Sequence, residues 1–137
     1  MPLLTNEISV GAVAYFDTAL LNGDPRIIKP QYPANRASPF VCFQINGTDS
    51  AWAVITTQYR KERLEISKPW RQEGSIQWKT DDLYLNDGAC TYTGPNQAFV
   101  DAAINETPFT TINRPQVTPD GIAAIINTVM SRNGPML

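Results

Sequence analysis

Phe40-Val41-Cys42-Phe43-Gln44-Ile45 and Ala51-Trp52-Ala53-Val54-Ile55-Thr56 flank the segment Asn46-Gly47-Thr48-Asp49-Ser50. The outer runs are rich in β-branched and aromatic residues, which suit a pleated, packed surface. The Asn-Gly step between them favours the positive φ angles of a tight turn, so residues 40–56 read as a β-hairpin. Upstream, Val10-Gly11-Ala12-Val13-Ala14-Tyr15-Phe16-Asp17 has the same character and reads as an earlier strand. Gly23, Pro25, Pro30, Pro33 and Pro39 make residues 22–39 a long loop, because they are too many breakers for a helix or an inner strand. Downstream, Leu64–Ser67, Ser75–Trp78, Ala89–Tyr92 and Ala98–Ala103 read as short strands, separated by Pro69, Gly74, Asp87-Gly88 and Gly94-Pro95. Such a series of short, regularly interrupted strands predicts a barrel or sandwich. The stretch Arg60 to Glu65 also suits a helical turn.

The end of the chain reads differently. Thr118 can cap free amides, Pro119 suits the first helical position, and Asp120 complements the positive end of the helix dipole. Ile122, Ile125, Ile126 and Val129 then recur at three- and four-residue spacing, Arg132 lies in the last turn, and Gly134-Pro135 ends the helix. The expected fold is mainly β: one curled antiparallel sheet with a C-terminal α-helix covering an open face, in one domain over residues 1–137.

At 137 residues and 42% hydrophobic composition the chain can bury a real core. Its apolar runs fall well short of the roughly 18 residues of a membrane span, and its first residues lack the pattern of a secretory signal. A cytoplasmic protein with no membrane partner is expected. Cys42 and Cys90, far apart in strand-like surroundings, read as buried thiols. Asn46-Gly47-Thr48 and Asn105-Glu106-Thr107 have the form of glycan acceptors and read as turn residues. The chain contains no histidine, so the usual neutral-pH general base is missing and histidine-based hydrolysis is excluded. Two cysteines without histidine make a structural zinc site very hard to assemble. The adjacent Asp81-Asp82 reads as a solvated turn rather than a magnesium site. No metal and no cofactor are expected.

The formal charge of −2 conceals an asymmetry: residues 26–79 hold nine basic residues against four acidic ones, a net of +5, and the remainder carries −7. Tyr59, Trp70 and Trp78 interleave with the basic residues. Basic groups attract phosphates and aromatic rings stack on bases, which suits single-stranded nucleic acid; two core tryptophans beside an ordinary solvated face is the plainer reading.

Four features together resemble the MazF/PemK family of toxin endoribonucleases. They are the strand from Gly11 to Asp17, the loop leading through Arg36 to Pro39 and the strand Phe40 to Ile45, the sequence Ile55-Thr56-Thr57-Gln58, and the Thr118-Pro119-Asp120 helix start. The resemblance implies a small SH3-like or CcdB-like barrel with a C-terminal helix. It also implies metal-independent cleavage of single-stranded RNA, a homodimer, and an antitoxin protein as partner. Carried over residue by residue, the catalytic pair falls on Arg36 and Thr56, and RNA binding on Thr57, Gln58, Arg60, Lys61 and Arg63. In the family the arginine and proline are usually adjacent, whereas here Ala37 and Ser38 separate Arg36 from Pro39. The competing expectation is a non-catalytic SH3-like barrel that binds a protein or nucleic acid, since such folds host many functions.

Overall fold

The hairpin forms the centre of the molecule. In a computed structural model that describes residues 3–86, 90–109, 111 and 113–133, β2 (Ser38–Asn46) and β3 (Asp49–Thr56) are joined by Gly47-Thr48. Gly47 has φ 63°, the conformation for which the Asn-Gly step was read. The other strands are β1 (Val13–Phe16), β4 (Arg71–Gln72), β5 (Tyr84–Leu85), β6 (Thr91–Pro95), β7 (Ala103–Ile104) and β8 (Gln116–Val117). The helices are α1 (Thr18–Gly23), α2 (Ile76–Thr80), α3 (Asn96–Ala102) and α4 (Pro119–Asn133).

The main sheet is antiparallel, in the order β5-β3-β2-β1-β7, with β6 also paired to β3 along the half of that strand which β5 leaves free. Strands β4 and β8 form a separate two-stranded sheet. Alternation along the strands divides the buried side chains into two clusters. Ala14, Phe16, Phe40, Cys42, Trp52, Val54 and Tyr92 point to one face, where Phe99 and Ala102 of α3 and Leu21 of α1 cover them. Val13, Val41, Ala51, Ala53 and Ile55 point to the other, beneath Trp78 of α2 and Ile122, Ile125 and Val129 of α4. Register agrees with this division, since Phe40 stands opposite Val54, Val41 opposite Ala53 and Cys42 opposite Trp52. A bulge between Cys42 and Gln44 shifts the alternation beyond Phe43, so that Phe43 lies in the second cluster and Ile45 packs against the first.

The expected closed barrel is not formed, and the content is mixed, at 30% helix and 30% strand. The reason lies in residues 96–104. Read as a strand, Ala98–Ala103 is instead mainly the helix α3, which crosses the face that a barrel would enclose and links β6, at the β3 edge, to β7, beside β1. Ala98, Phe99 and Ala102 fall on one side of it, so burial in the helical state uses all three. Ser75–Trp78 is likewise not a strand: Ser75 caps α2 by accepting the Trp78 amide hydrogen at 3.2 Å. Leu64–Ser67 contributes only an isolated bridge, Glu65 to Tyr84. The stretch Arg60–Glu65 contains a turn closed by the Arg63 amide on the Arg60 carbonyl at 3.0 Å. Asp17 ends the first strand by capping α1, accepting the Ala19 and Leu20 amide hydrogens.

Helix α4 meets its expectation: Thr118 Oγ1 accepts the Gly121 amide hydrogen, and Ile125 and Val129 have no exposed surface. Its expected stop at Gly134-Pro135, and Asp87-Gly88-Ala89 ahead of β6, lie outside the described residues. Cys42 and Cys90 are buried thiols that form no disulfide. No helix among the described residues is long and apolar enough to cross a membrane.

Two buried acids, Cys42 and Tyr92, and the partly buried Tyr15 give the fold a pH limit. Burial pushes the Cys42 thiol and the Tyr92 and Tyr15 phenols up to about 12 each, from ordinary values of 9.0 for the thiol and 10.0 for the phenols. The folded state holds these protons more tightly than the unfolded chain does. Their contribution is therefore complete below about pH 9 and is lost as pH rises through about 12. Urea midpoints are expected to stay level to about pH 9 and fall steeply by about pH 11; a level profile throughout would contradict the arrangement.

Candidate nucleic-acid interface

Strand β2 begins and β3 ends at the same open end of the hairpin. Continuing the Phe40–Val54 register by two residues places Ser38 across from Thr56. The loop before β2 brings Ala34, Asn35 and Arg36 over this end. With Val54, Ile55, Gln58 and Asn86 they line an open cleft of about 240 Å³. Arg36 and Thr56, far apart in sequence, thus border one space.

Both walls are held from behind. Ala34 donates its amide hydrogen to the Tyr92 hydroxyl at 2.9 Å, and that hydroxyl donates to Asn22 Oδ1 at 2.8 Å. Asn22 Nδ2 completes the ring by donating to the Ala34 carbonyl at 2.8 Å. Both backbone groups of Ala34 are fixed, two residues before Arg36, by side chains from α1 and β6. Ser38 Oγ donates to the Arg36 carbonyl at 2.9 Å. On the opposite wall Thr56 Oγ1 accepts the Gln58 amide hydrogen at 3.2 Å. That bond uses a lone pair and leaves the hydroxyl proton for an acceptor in the cleft. Asn86 is positioned by its amide, which donates to the Val54 carbonyl at 2.8 Å.

No carboxylate lines this cleft, and among the described residues none pairs with Arg36. A guanidinium and a hydroxyl facing one polar opening can bind a phosphate group. Asn86 also lines a second cleft of about 250 Å³, together with Arg60, Glu62, Arg63, Leu64, Leu85, Thr128 and Arg132. Gln58 connects the two, since it lines the first while its carbonyl accepts from Arg63 Nη1 at 2.8 Å.

Of the residues read as sites, Arg36, Thr56 and Gln58 meet in the first cleft, and Arg60 and Arg63 in the second. Thr57 and Lys61 are exposed and line neither. The rest of the basic segment is largely occupied elsewhere. Arg26 bridges Asp24 and Asp101, Lys68 pairs with Asp82, and Arg71 is buried. Trp78 is wholly buried and Trp70 packs on the second cluster, so neither is a stacking surface. Tyr59 is 69% exposed, with its ring edge-on to Tyr84, the partner of Thr56 in the ladder.

Asn22, Asn86, Tyr92 and Arg132 were given no site role from the sequence. Each reaches its place through a long-range contact that leaves no local pattern. Comparison with known proteins returned no match, whether among family models, curated proteins or solved structures.

Proposed function

We propose that the chain is a metal-independent endoribonuclease of the MazF/PemK toxin type, acting on single-stranded RNA in the cytoplasm. The observation that carries this reading is the convergence of Arg36 and Thr56 on one open cleft free of carboxylates. In the proposed reaction a ribose 2′-oxygen attacks the adjacent phosphorus, the bond to the 5′-oxygen breaks, and the products are a 2′,3′-cyclic phosphate and a 5′-hydroxyl. The 2′-hydroxyl proton leaves to solvent, and the departing oxygen takes one from solvent. Arg36 neutralises charge on the phosphorane-like transition state, and Thr56 donates a hydrogen bond to a phosphate oxygen. A homodimer and an antitoxin protein that covers the cleft belong to this reading.

A second reading has one observation in its favour: nothing lining the first cleft can act as a general base near neutral pH. On that reading the cleft binds the phosphates of single-stranded nucleic acid without cutting them. Incubating the purified chain with RNA in a chelator separates the two. Cyclic-phosphate ends support the nuclease; intact RNA, bound in a salt-dependent way, supports the binding module.

A further inference from the structure

We propose that the second cleft, between the turn at Arg60–Leu64 and the last turn of α4, is a phosphate site for the same RNA strand that the first cleft engages. The proposal rests on the reading of the first cleft as an RNA phosphate site and extends it to Arg132, a residue 76 positions beyond Thr56.

Three guanidinium-bearing residues, Arg60, Arg63 and Arg132, line this cleft against one carboxylate, Glu62. They come from two elements distant in sequence, so neither a helical charge stripe nor a single basic run explains their meeting. Leu64 and buried Leu85 form an apolar part of the wall, which excludes water and strengthens charge–phosphate attraction. Arginine suits the role because its planar fork can grip two phosphate oxygens. Asn86 lines both clefts, so a chain leaving the first passes directly into the second. The exposed ring of Tyr59, next to Arg60 in sequence and against Tyr84, offers a base a stacking face beside this path. Repeated phosphates with bases between them match this arrangement better than an acidic peptide, which would leave the ring without a stacking partner.

The test uses a hexanucleotide RNA with 2′-O-methyl sugars, which cannot be cut by the neighbouring hydroxyl, and measures its affinity across a salt series. Arg132→Gln and Arg60→Gln should each lower the slope of log affinity against log salt by about 0.7. Both residues are exposed, so the melting midpoint should not move. A dinucleotide with one phosphate should respond to Arg36→Ala and ignore Arg132→Gln. An Arg132 that only complements its helix end would move the midpoint and leave the slope alone, overturning the proposal. A slope lowered by Arg36→Ala but by neither of the other variants would also overturn it while leaving the first cleft's reading intact. No binding by wild type would remove both. Slopes lowered as expected, with natural RNA left uncut, would keep the second site and reject the nuclease.

Discussion

Replacing Arg36 by alanine is expected to reduce RNA cleavage by about 10³-fold, the scale on which enzymes lose rate when a guanidinium or a preorganised donor at a transition-state phosphate is removed. Thr56→Val should cost about 100-fold, because one hydrogen bond is lost while shape is kept. Neither should shift the melting midpoint appreciably. Arg36 is exposed with no ion pair among the described residues, and Thr56 gives up only the bond from the Gln58 amide. Arg36→Lys should recover part of the rate, since an ammonium keeps the charge and loses the fork. Tyr92→Phe offers a control of another kind: it leaves the cleft's chemistry in place and removes the hydroxyl that fixes Ala34. Rates should be measured by single turnover on a defined RNA, with folding checked by thermal melts. Cleavage by Arg36→Ala equal to wild type would rule out the proposed mechanism.

The same residues show what the sequence made legible. Arg36, Thr56 and Gln58 were reached only through the family resemblance; the hairpin's turn chemistry and strand composition located the strand ends beside them but assigned them no role. The hairpin also held the sign that the barrel reading missed. Phe40–Phe43 and Ala51–Ile55 are unbroken apolar runs with no polar alternation, and a strand of that kind is covered on both faces. A small barrel has one inner face; this sheet has α1 and α3 on one side and α2 and α4 on the other. Residues 75–78 and 98–103 were misassigned because a segment of four to six residues is too short for its apolar positions to separate a period of 2 from one of 3.6. The caps were the better guide. Ser75 before Ile76 marks a helix start as Thr118 does for α4, each hydroxyl accepting an amide hydrogen of the first turn. Asp17 followed by Thr18-Ala19-Leu20-Leu21 is a similar signal, read only as the end of a strand. Arg132 and Tyr92 could not be found in this way, because their positions follow from packing across the sheet rather than from neighbours in the chain.

Arg71 leads to the second large effect, on stability rather than activity. It belongs by sequence to the basic segment, yet only 6% of it is exposed. Its Nε and Nη2 donate to the Ile66 carbonyl at 3.0 and 2.6 Å, and its Nη1 donates to the carbonyls of Trp78, at 3.2 Å, and Asp81. The guanidinium carbon also lies 5.8 Å from the centre of the Trp78 ring. One side chain on β4 therefore satisfies three carbonyls from the loop before it and from the end of α2. Burial lowers the guanidinium's affinity for its proton, and Glu65, Asp82 and Asp81 oppose that shift by their charge. Arg71→Met keeps much of the apolar stem and leaves the three carbonyls without their donor. The expected loss is about 3–5 kcal/mol, a large fraction of the roughly 5–15 kcal/mol that holds a domain folded. Arg71→Lys should recover little, because an ammonium cannot reproduce the planar fork that spans Ile66, Trp78 and Asp81. Urea unfolding measures this directly. A loss under about 1 kcal/mol in Arg71→Met would mean that water replaces the guanidinium and that Arg71 does not hold residues 66–81 together.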